Sequence, residues 1–258
     1  MMAVSTTWPG HPLGPIKDKV ILNKLHMKYT PFLIAALLFM AAMPVDNPQD
    51  GWISLHDGKT TKGWHSYGKS SAGEAWDVQD GALHLKPARM NGYQTQGGGD
   101  LVTDAAYENF ELKLEWKISK DGNSGIIFYV QDDKAKYQET WMTGIETQVL
   151  DIVGNEDSKS FKHDVADLYD LVPCTSHPAR PFGEWNRVRM KSLNGKLEIY
   201  LNDTLVLSTT LWDDAWKKLV RESKFKDMPG FGRFRKGHIA LQDHGAEVWY
   251  RNIMIKPL

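Results

Sequence analysis

The sequence predicts an all-β protein, a concanavalin A-like jelly-roll β-sandwich with one short peripheral helix. Three observations support this fold class. Short runs of alternating apolar and polar residues recur from about residue 50 to the C-terminus. Asp-Gly or Asn-Gly pairs follow several of these runs, and a clear helical pattern occurs only once. About ten to twelve short strands at regular spacing, joined by tight turns, are typical of a sandwich.

The turn signals define the strands in chain order. Asp57-Gly58 and Asp80-Gly81 each follow an apolar run that begins with tryptophan, and such pairs favour tight hairpin turns. Asp121-Gly122 separates two longer runs, 112–118 and 124–130. The spacing predicts antiparallel neighbours across each turn.

One segment has helical periodicity. Residues 211–226 read LWDDAWKKLVRESKFK, with apolar side chains repeating at a spacing of four. This spacing predicts an amphipathic helix whose charges form a solvated face.

The N-terminal region predicts export. Lys28 precedes an apolar run, 32–43, that is short for a membrane span and typical of a secretory signal. We therefore expect residues 27–44 to be a signal peptide, residues 1–26 an upstream non-native extension, and residues 50–258 a single domain. A secreted, periplasmic protein follows, with the membrane involved only through the export signal. Its one cysteine, Cys174, allows no intrachain disulfide.

The charge balance excludes one class of partner. The chain has 31 basic and 32 acidic residues, so its formal net charge is −1. Nucleic-acid binders usually carry a basic patch or stripe, so we expect no nucleic-acid partner. The 10 Trp, 9 Tyr and 9 Phe residues would either stack on sugar rings or fill a β-core.

The strongest candidate site lies on the segment 144–151. Because side chains alternate along a strand, Glu146 and Gln148 share one face, where they would form a polar floor for a hydroxyl-rich ligand. The alternative is a buried polar ladder that stabilises the sheet. Laminarinase-type jelly-roll enzymes have an E-x-D-x-x-E pattern, but here Gln148 replaces the central acid and Asp151 the last. This departure argues against ordinary retaining hydrolysis, which needs two carboxyl groups.

Further candidates lie at strand ends and in loops. Asp243 and His244 follow an apolar strand, and an imidazole beside an acid is a candidate for acid–base work. His163 follows a long polar loop, and Asn123 begins an Asn-Ser-Gly sequence that reads alone as a turn. Histidine and carboxylates could together hold a divalent metal ion, although their spacing matches no recognised metal motif. Two arginines, Arg233 and Arg235, would bind sugar oxygens or lie on the surface.

Taken in order, these segments resemble the 3-keto-disaccharide hydrolase domain family over residues 50–258. The segments are WISLHDG from Trp52, FELKLEW from Phe110, NSGI from Asn123, ETQVLD from Glu146, LYDL from Leu168, LQDHG from Leu241 and YRNIMI from Tyr250. The resemblance implies a concanavalin A-like jelly roll and secreted bacterial proteins that cleave or hydrate 3-keto sugars. It also implies site positions at Glu146, Gln148, Asp151 and His244, with His163 and Asp243 beside them.

The implied chemistry needs a base, an acid and an enolate stabiliser. A ketone at C3 acidifies the C2 proton, so a base can remove it and the C1 substituent can leave. Glu146 or His163 would be the base, His244 or Asp151 the acid, and a cation or an arginine the stabiliser. Three alternatives stay open: a non-catalytic carbohydrate-binding module, a conventional glucanase-type hydrolase, and a structural or adhesion domain.

Overall fold

The computed structural model describes residues 51–258, which form mainly antiparallel strands. The predicted signal peptide and upstream extension lie outside these residues. In chain order the strands are β1 Ile53–Ser54, β2 Trp64–Ser66, β3 Trp76–Gln79, β4 Ala82–Leu85, β5 Met90–Asn91, β6 Gln94–Thr95, β7 Leu101–Thr103, β8 Phe110–Ile118, β9 Asn123–Val130, β10 Ile145–Leu150, β11 Asn186–Leu193, β12 Lys196–Leu201, β13 Thr204–Thr210, β14 His238–Leu241 and β15 Val248–Pro257.

These strands form two large sheets and one hairpin. The larger sheet has eight strands in the order β13-β12-β11-β8-β15-β4-β3, with β1 paired to β15. The smaller sheet has five strands in the order β10-β9-β14-β7-β2, and β5 pairs with β6 alone. This arrangement confirms the all-β jelly-roll prediction.

The main core lies between the two large sheets. On β8 every second side chain is buried, from Phe110 through Trp116 to Ile118, while the residues between them are more exposed. Ile126 and Phe128 of β9 join the same core. This alternation is the pattern expected of a sheet with one face on the core and one on solvent.

The smaller sheet is covered on both faces. Ile127 of β9 belongs to a second apolar cluster with Tyr67, Val102, Val130 and Ala240. In the pairing of β9 with β10, Glu146 lies opposite Ile127, and Gln148 lies opposite Gly125. Since alternate residues point to opposite faces, Glu146 and Gln148 lie on the face turned away from the main core.

The helix is shorter than predicted. Helix α1 spans Asp214–Glu222, and the Asp213 side chain caps it by accepting a hydrogen bond from the Trp216 backbone N–H at 2.7 Å. Trp212 has a φ of 68°, which is incompatible with a helical residue at that position. Within residues 51–258, no helix has the length and apolarity needed to cross a membrane.

Candidate functional site

A cavity of about 440 Å³ opens on the outer face of the smaller sheet. It contains three kinds of lining group: ionisable side chains, amides, and apolar or aromatic side chains. The lining residues are Tyr93, Asn123, Trp141, Glu146, Gln148, Tyr169, Lys224, Phe225, Met228, Gln242 and His244. Sites for small ligands usually combine polar groups with apolar and aromatic walls, and this cavity has both.

Glu146 occupies its position because Gly125 leaves room for it. The Glu146 side chain is only 8% exposed. A Cβ atom on Gly125 would overlap Glu146 Oε1, so the neighbouring strand must carry glycine here. The Asn-Ser-Gly sequence is therefore more than a turn, because its glycine shapes the floor of the cavity.

Alanine at Gly125 is expected to displace the Glu146 carboxyl group and to lower any activity that depends on it by about tenfold or more, as small misplacements of reacting groups do. Steady-state kinetics of Gly125→Ala would measure this loss. Gly183→Ala is a control, because Gly183 has a positive φ of 79° but its Cβ would meet no atom. Normal activity in Gly125→Ala would contradict the account of this glycine.

Burial sets the ionisation of Glu146. Desolvation, with a smaller contribution from the nearby Asp100 carboxylate, raises the pKa of this carboxyl group to about 8. The Lys224 ammonium and the Gln242 side chain act in the opposite direction. At neutral pH most Glu146 side chains are therefore protonated, and the ionised form is a stronger base than an ordinary glutamate.

Lys224 is a site residue that the sequence did not reveal. Its Nζ lies 3.9 Å from the centroid of the Tyr169 ring, a cation–π distance. Its backbone N–H donates to Asp170 Oδ2 at 2.7 Å. Desolvation lowers the pKa of Lys224, against the opposing effect of Glu146, Asp170 and Asp157. The cavity thus holds an acid with a raised pKa and a cation with a lowered pKa, a combination common at functional sites.

Two buried amides have free acceptor atoms. Gln148 and Gln242 are 2% and 6% exposed, and the Oε1 atom of each has no hydrogen-bond partner within the described part of the chain. Gln148 Nε2 donates to the His163 carbonyl at 3.4 Å. A buried acceptor without a donor is costly, so a ligand hydroxyl that donates here would be favoured.

His244 and two aromatic residues, Tyr93 and Trp141, also line the cavity. His244 is exposed and its ring centroid lies 5.5 Å from that of Tyr93. Trp141 Nε1 donates to Tyr93 Oη at 3.2 Å, and Tyr93 Oη donates to Glu139 Oε2 at 2.9 Å. Asn123 donates from Nδ2 to Asp157 Oδ2 at 2.9 Å, which anchors its amide at the rim.

The structure places Asp151 and Asp243 outside the cavity. Asp151 is 1% exposed and accepts hydrogen bonds from the backbone N–H groups of Asp121, Val153 and Gly154. These bonds occupy its oxygens in a turn and give Asp151 a structural role, and its assignment as an acid stays a prediction from the sequence.

Asp243 has the same kind of structural role. It is fully buried and accepts from the backbone N–H groups of Thr95, Gly99 and Gly245 and from Thr95 Oγ1. The carboxylate anchors the segment from Thr95 of β6 to Gly99, and its assignment to substrate binding stays a prediction from the sequence.

Removing the Asp243 carboxylate is expected to destabilise the protein. Asp243→Ala would leave several buried donors without an acceptor and lower the free energy of unfolding by about 3 kcal/mol or more. Urea denaturation monitored by tryptophan fluorescence would measure the change. Asp203→Ala removes an exposed, ion-paired carboxylate and should change stability by less than about 1 kcal/mol. Equal stability of the two variants would contradict this role.

His163 lies behind the cavity wall rather than in it. Its ring stacks on Tyr169 at 4.3 Å between centroids, and its Nε2 lies 3.5 Å from Asp170 Oδ1. Tyr169 lines the cavity, and His163 supports this aromatic wall. The expectation of a base at His163 stays a prediction from the sequence.

Arg233 and Arg235 do not line the Glu146 cavity either. Both are exposed and border a separate cavity next to Trp212. Lys224, and not an arginine, is the cation that lines the Glu146 cavity.

No metal-binding cluster is found among residues 51–258, where no three His, Cys, Asp or Glu side chains converge. The divalent ion remains a prediction from the sequence.

Comparison with known proteins identifies the family. The sequence profile described as the 3-keto-alpha-glucoside-1,2-lyase-like domain matches residues 51–256. The chain is 35% identical over 265 aligned positions to the 3-keto-disaccharide hydrolase of Bacteroides thetaiotaomicron, covering 95% of this chain and 91% of that protein.

Two solved structures from Parabacteroides distasonis, both provisionally assigned as glycosyl hydrolases, have the same fold. The first has a TM-score of 0.71 at 28% identity and covers 81% of this chain and 95% of its own. The second has a TM-score of 0.59 at 25% identity and covers 80% and 99%.

Proposed function

Because the chain belongs to the 3-keto-alpha-glucoside-1,2-lyase-like domain family, we propose that it is a carbohydrate hydrolase acting on 3-keto glycosides. Cleavage proceeds by elimination followed by addition of water, so the net reaction is hydrolysis of the glycosidic bond. The observation that carries the proposal is the pairing of a buried, high-pKa Glu146 with Lys224 in one cavity lined by amides and aromatic rings.

The elimination step uses three side chains of the cavity. The Glu146 carboxylate removes the C2 proton, and the electron pair moves toward the C3 ketone to give an enolate. The Lys224 ammonium donates to the enolate oxygen and stabilises its charge. The enolate then expels the C1 substituent, whose oxygen takes a proton from His244. The products are the free alcohol and a 1,2-unsaturated 3-keto sugar.

Hydration completes the reaction. Water adds at C1 of the unsaturated ketone and gives a proton to His244, which restores the acid, and the proton held by Glu146 returns to C2. One water molecule is consumed and the products are a 3-keto sugar and an alcohol or second sugar. The unpartnered acceptors of Gln148 and Gln242 would hold sugar hydroxyls during both steps.

The lining of the cavity disfavours conventional glycoside hydrolysis. Enzymes of that kind place two carboxyl groups on either side of the scissile bond. Among the described residues that border the cavity, Glu146 is the sole carboxylic acid. Proton abstraction next to a ketone needs one base and one enolate stabiliser, which Glu146 and Lys224 supply.

The pH dependence follows from the raised pKa. If ionised Glu146 is the base, kcat/KM for a 3-keto glucoside is expected to rise as the pH increases toward about 8, and loss of the acid at higher pH would end this rise. The value of kcat/KM rises with pH because protonation of Glu146 below that pH removes the carboxylate that acts as the base. Initial rates between pH 5 and about 10 would measure the profile. A decrease in kcat/KM through the same range would instead assign Glu146 as the acid.

Turnover tests the proposed function. We expect purified protein from Pro44 onward to release alcohol from a 3-keto glucoside but not from its unoxidised parent. Parallel assays with EDTA test the predicted divalent ion. Turnover of the parent would favour a glucanase-type hydrolase, and glycan binding without turnover would favour a binding module.

We propose that the protein is exported and acts in the periplasm. The support is the apolar run at 32–43 after Lys28, which lies outside the described residues. Fractionation of cells that express the full chain or a chain without residues 27–44 tests it. Periplasmic recovery of the truncated chain would contradict the proposal.

A further inference from the structure

A second cavity, of about 540 Å³, lies next to the Glu146 cavity. Met228 lines both of them. The wall between them also contains a pair of stacked rings, since Phe225 of the first cavity lies 3.8 Å from Phe231 of the second with an angle of 6° between planes. We call this second space the basic cavity.

The basic cavity carries a positive charge that its own lining does not balance. Five cations border it, and none of its lining residues within 51–258 is Asp or Glu. Lys217 pairs with Asp214 at 2.9 Å. In the same described range, Arg221, Lys226, Arg233 and Arg235 form no ion pair, and such a cluster favours an anion.

Trp212 supplies an independent sign of a missing partner. Its indole Nε1 is buried and has no acceptor within the described chain. The ring borders the basic cavity, and the Arg235 guanidinium carbon lies 4.8 Å from its centroid. Its φ of 68° is rare for a bulky residue and persists where surrounding contacts impose it. The free guanidinium groups are the donors that an oxyanion in the cavity would bind, and the unpaired indole N–H lies in a ring next to them.

We propose that the basic cavity is a subsite for an acidic sugar, whose carboxylate or sulfate group binds Arg233 and Arg235. Guanidinium groups match these oxyanions with paired hydrogen bonds. Because Met228 borders both cavities, a glycan that crosses this side chain would place the acidic sugar next to the sugar in the Glu146 cavity. The inference rests on the proposed function and specifies its substrate class.

Calorimetric titration tests the subsite without catalysis. The probes are cellobiose, cellobiouronic acid and cellobiose 6′-sulfate, all unoxidised and therefore not cleaved under the proposed mechanism. The proteins are the wild type, the double variant Arg233→Gln/Arg235→Gln, and the control Arg180→Gln/Arg187→Gln. The control removes two exposed arginines that lie outside the basic cavity, so it matches the change in net charge.

The expected result is selective loss. At least one acidic disaccharide should bind the wild type and the control about tenfold more tightly than cellobiose, and the preference should vanish in Arg233→Gln/Arg235→Gln. Comparison of the uronate with the sulfate identifies which anionic group Arg233 and Arg235 bind. Equal weakening in both double variants would show non-specific charge attraction, and no preference in the wild type would show no subsite. Either outcome overturns the inference, whereas failed turnover of 3-keto glucosides would leave these affinities unaffected.

Discussion

Glu146→Gln is expected to lower kcat for a 3-keto glucoside by about 10²- to 10⁴-fold, the contribution of a positioned general base. Glutamine keeps the shape of the side chain in the space left by Gly125, but it cannot accept the C2 proton. Substrate affinity should change little, because the amide still fills the floor of the cavity. Steady-state and single-turnover rates of the purified variant would measure the effect.

Two comparisons make this result specific. Glu115→Gln removes a carboxylate that pairs with Arg251 at 2.7 Å outside the cavity and should keep normal kcat. Glu146→Gln should also remain folded, because most Glu146 side chains are already neutral at pH 7. The folded-state pKa of Glu146 lies above its unfolded value, so the wild type loses stability as pH rises from about 4.5 to about 8. The variant should lack this loss. Near-normal kcat in Glu146→Gln would show that Glu146 is not the base.

Lys224→Met is expected to lower kcat by about 10²- to 10³-fold, as loss of an oxyanion donor does. Methionine keeps an unbranched apolar stem near Tyr169 but removes the charge that stabilises the enolate. Since the ammonium also lowers the pKa of Glu146, the rising limb of the pH profile should move to higher pH. The pH dependence of kcat/KM would show this shift.

Matched variants separate this role from general surface charge. Lys218→Met removes an exposed lysine whose nearest carboxylate is Glu222 at 3.8 Å, and it should leave kcat and the pH profile unchanged. Lys224→Arg should recover part of the rate, since it restores the positive charge. An unshifted pH profile in Lys224→Met would mean that the two groups do not interact.

The fold was predictable because its signals are local. The alternation along β8, from Phe110 to Ile118, follows directly from a sheet with one buried face. The turn at Asp80-Gly81 joins β3 and β4 as expected, with both residues at positive φ. The helix boundary was less accurate, because the apolar spacing extends to Leu211, whereas backbone contacts place that residue after β13.

The candidate site was predictable only where it lies on regular strands. Glu146 and Gln148 were found together because strand alternation places them on one face. Lys224 and Tyr169 come from loops distant in sequence, and no local pattern indicates that such residues meet. These residues meet only in the tertiary structure. The Tyr169 backbone N–H donates to the Glu146 carbonyl at 3.1 Å, and Lys224 Nζ lies 3.9 Å from the centroid of the Tyr169 ring.

Two carboxylates predicted as site residues do not line the cavity, and the physical reason is the same for both. Asp151 and Asp243 each follow a strand, and the same sequence position suits either a catalytic acid or an acceptor for backbone N–H groups in a turn. Only the hydrogen bonds distinguish the two roles. His163 stacks on Tyr169, and it is Tyr169 that lines the cavity.

The most direct test is the fate of the hydrogen at C2 when a 3-keto glucoside is cleaved in D₂O. Elimination and hydration require the C2–H bond to break, so the account predicts a primary kinetic isotope effect for substrate labelled with deuterium at C2. It also predicts deuterium at C2 of the released 3-keto sugar to the extent that the proton on Glu146 exchanges with solvent before it returns. The same product incubated without enzyme corrects for spontaneous exchange. Cleavage that retains the original C2 hydrogen and shows no isotope effect would contradict the account, because direct displacement at C1 leaves that bond intact.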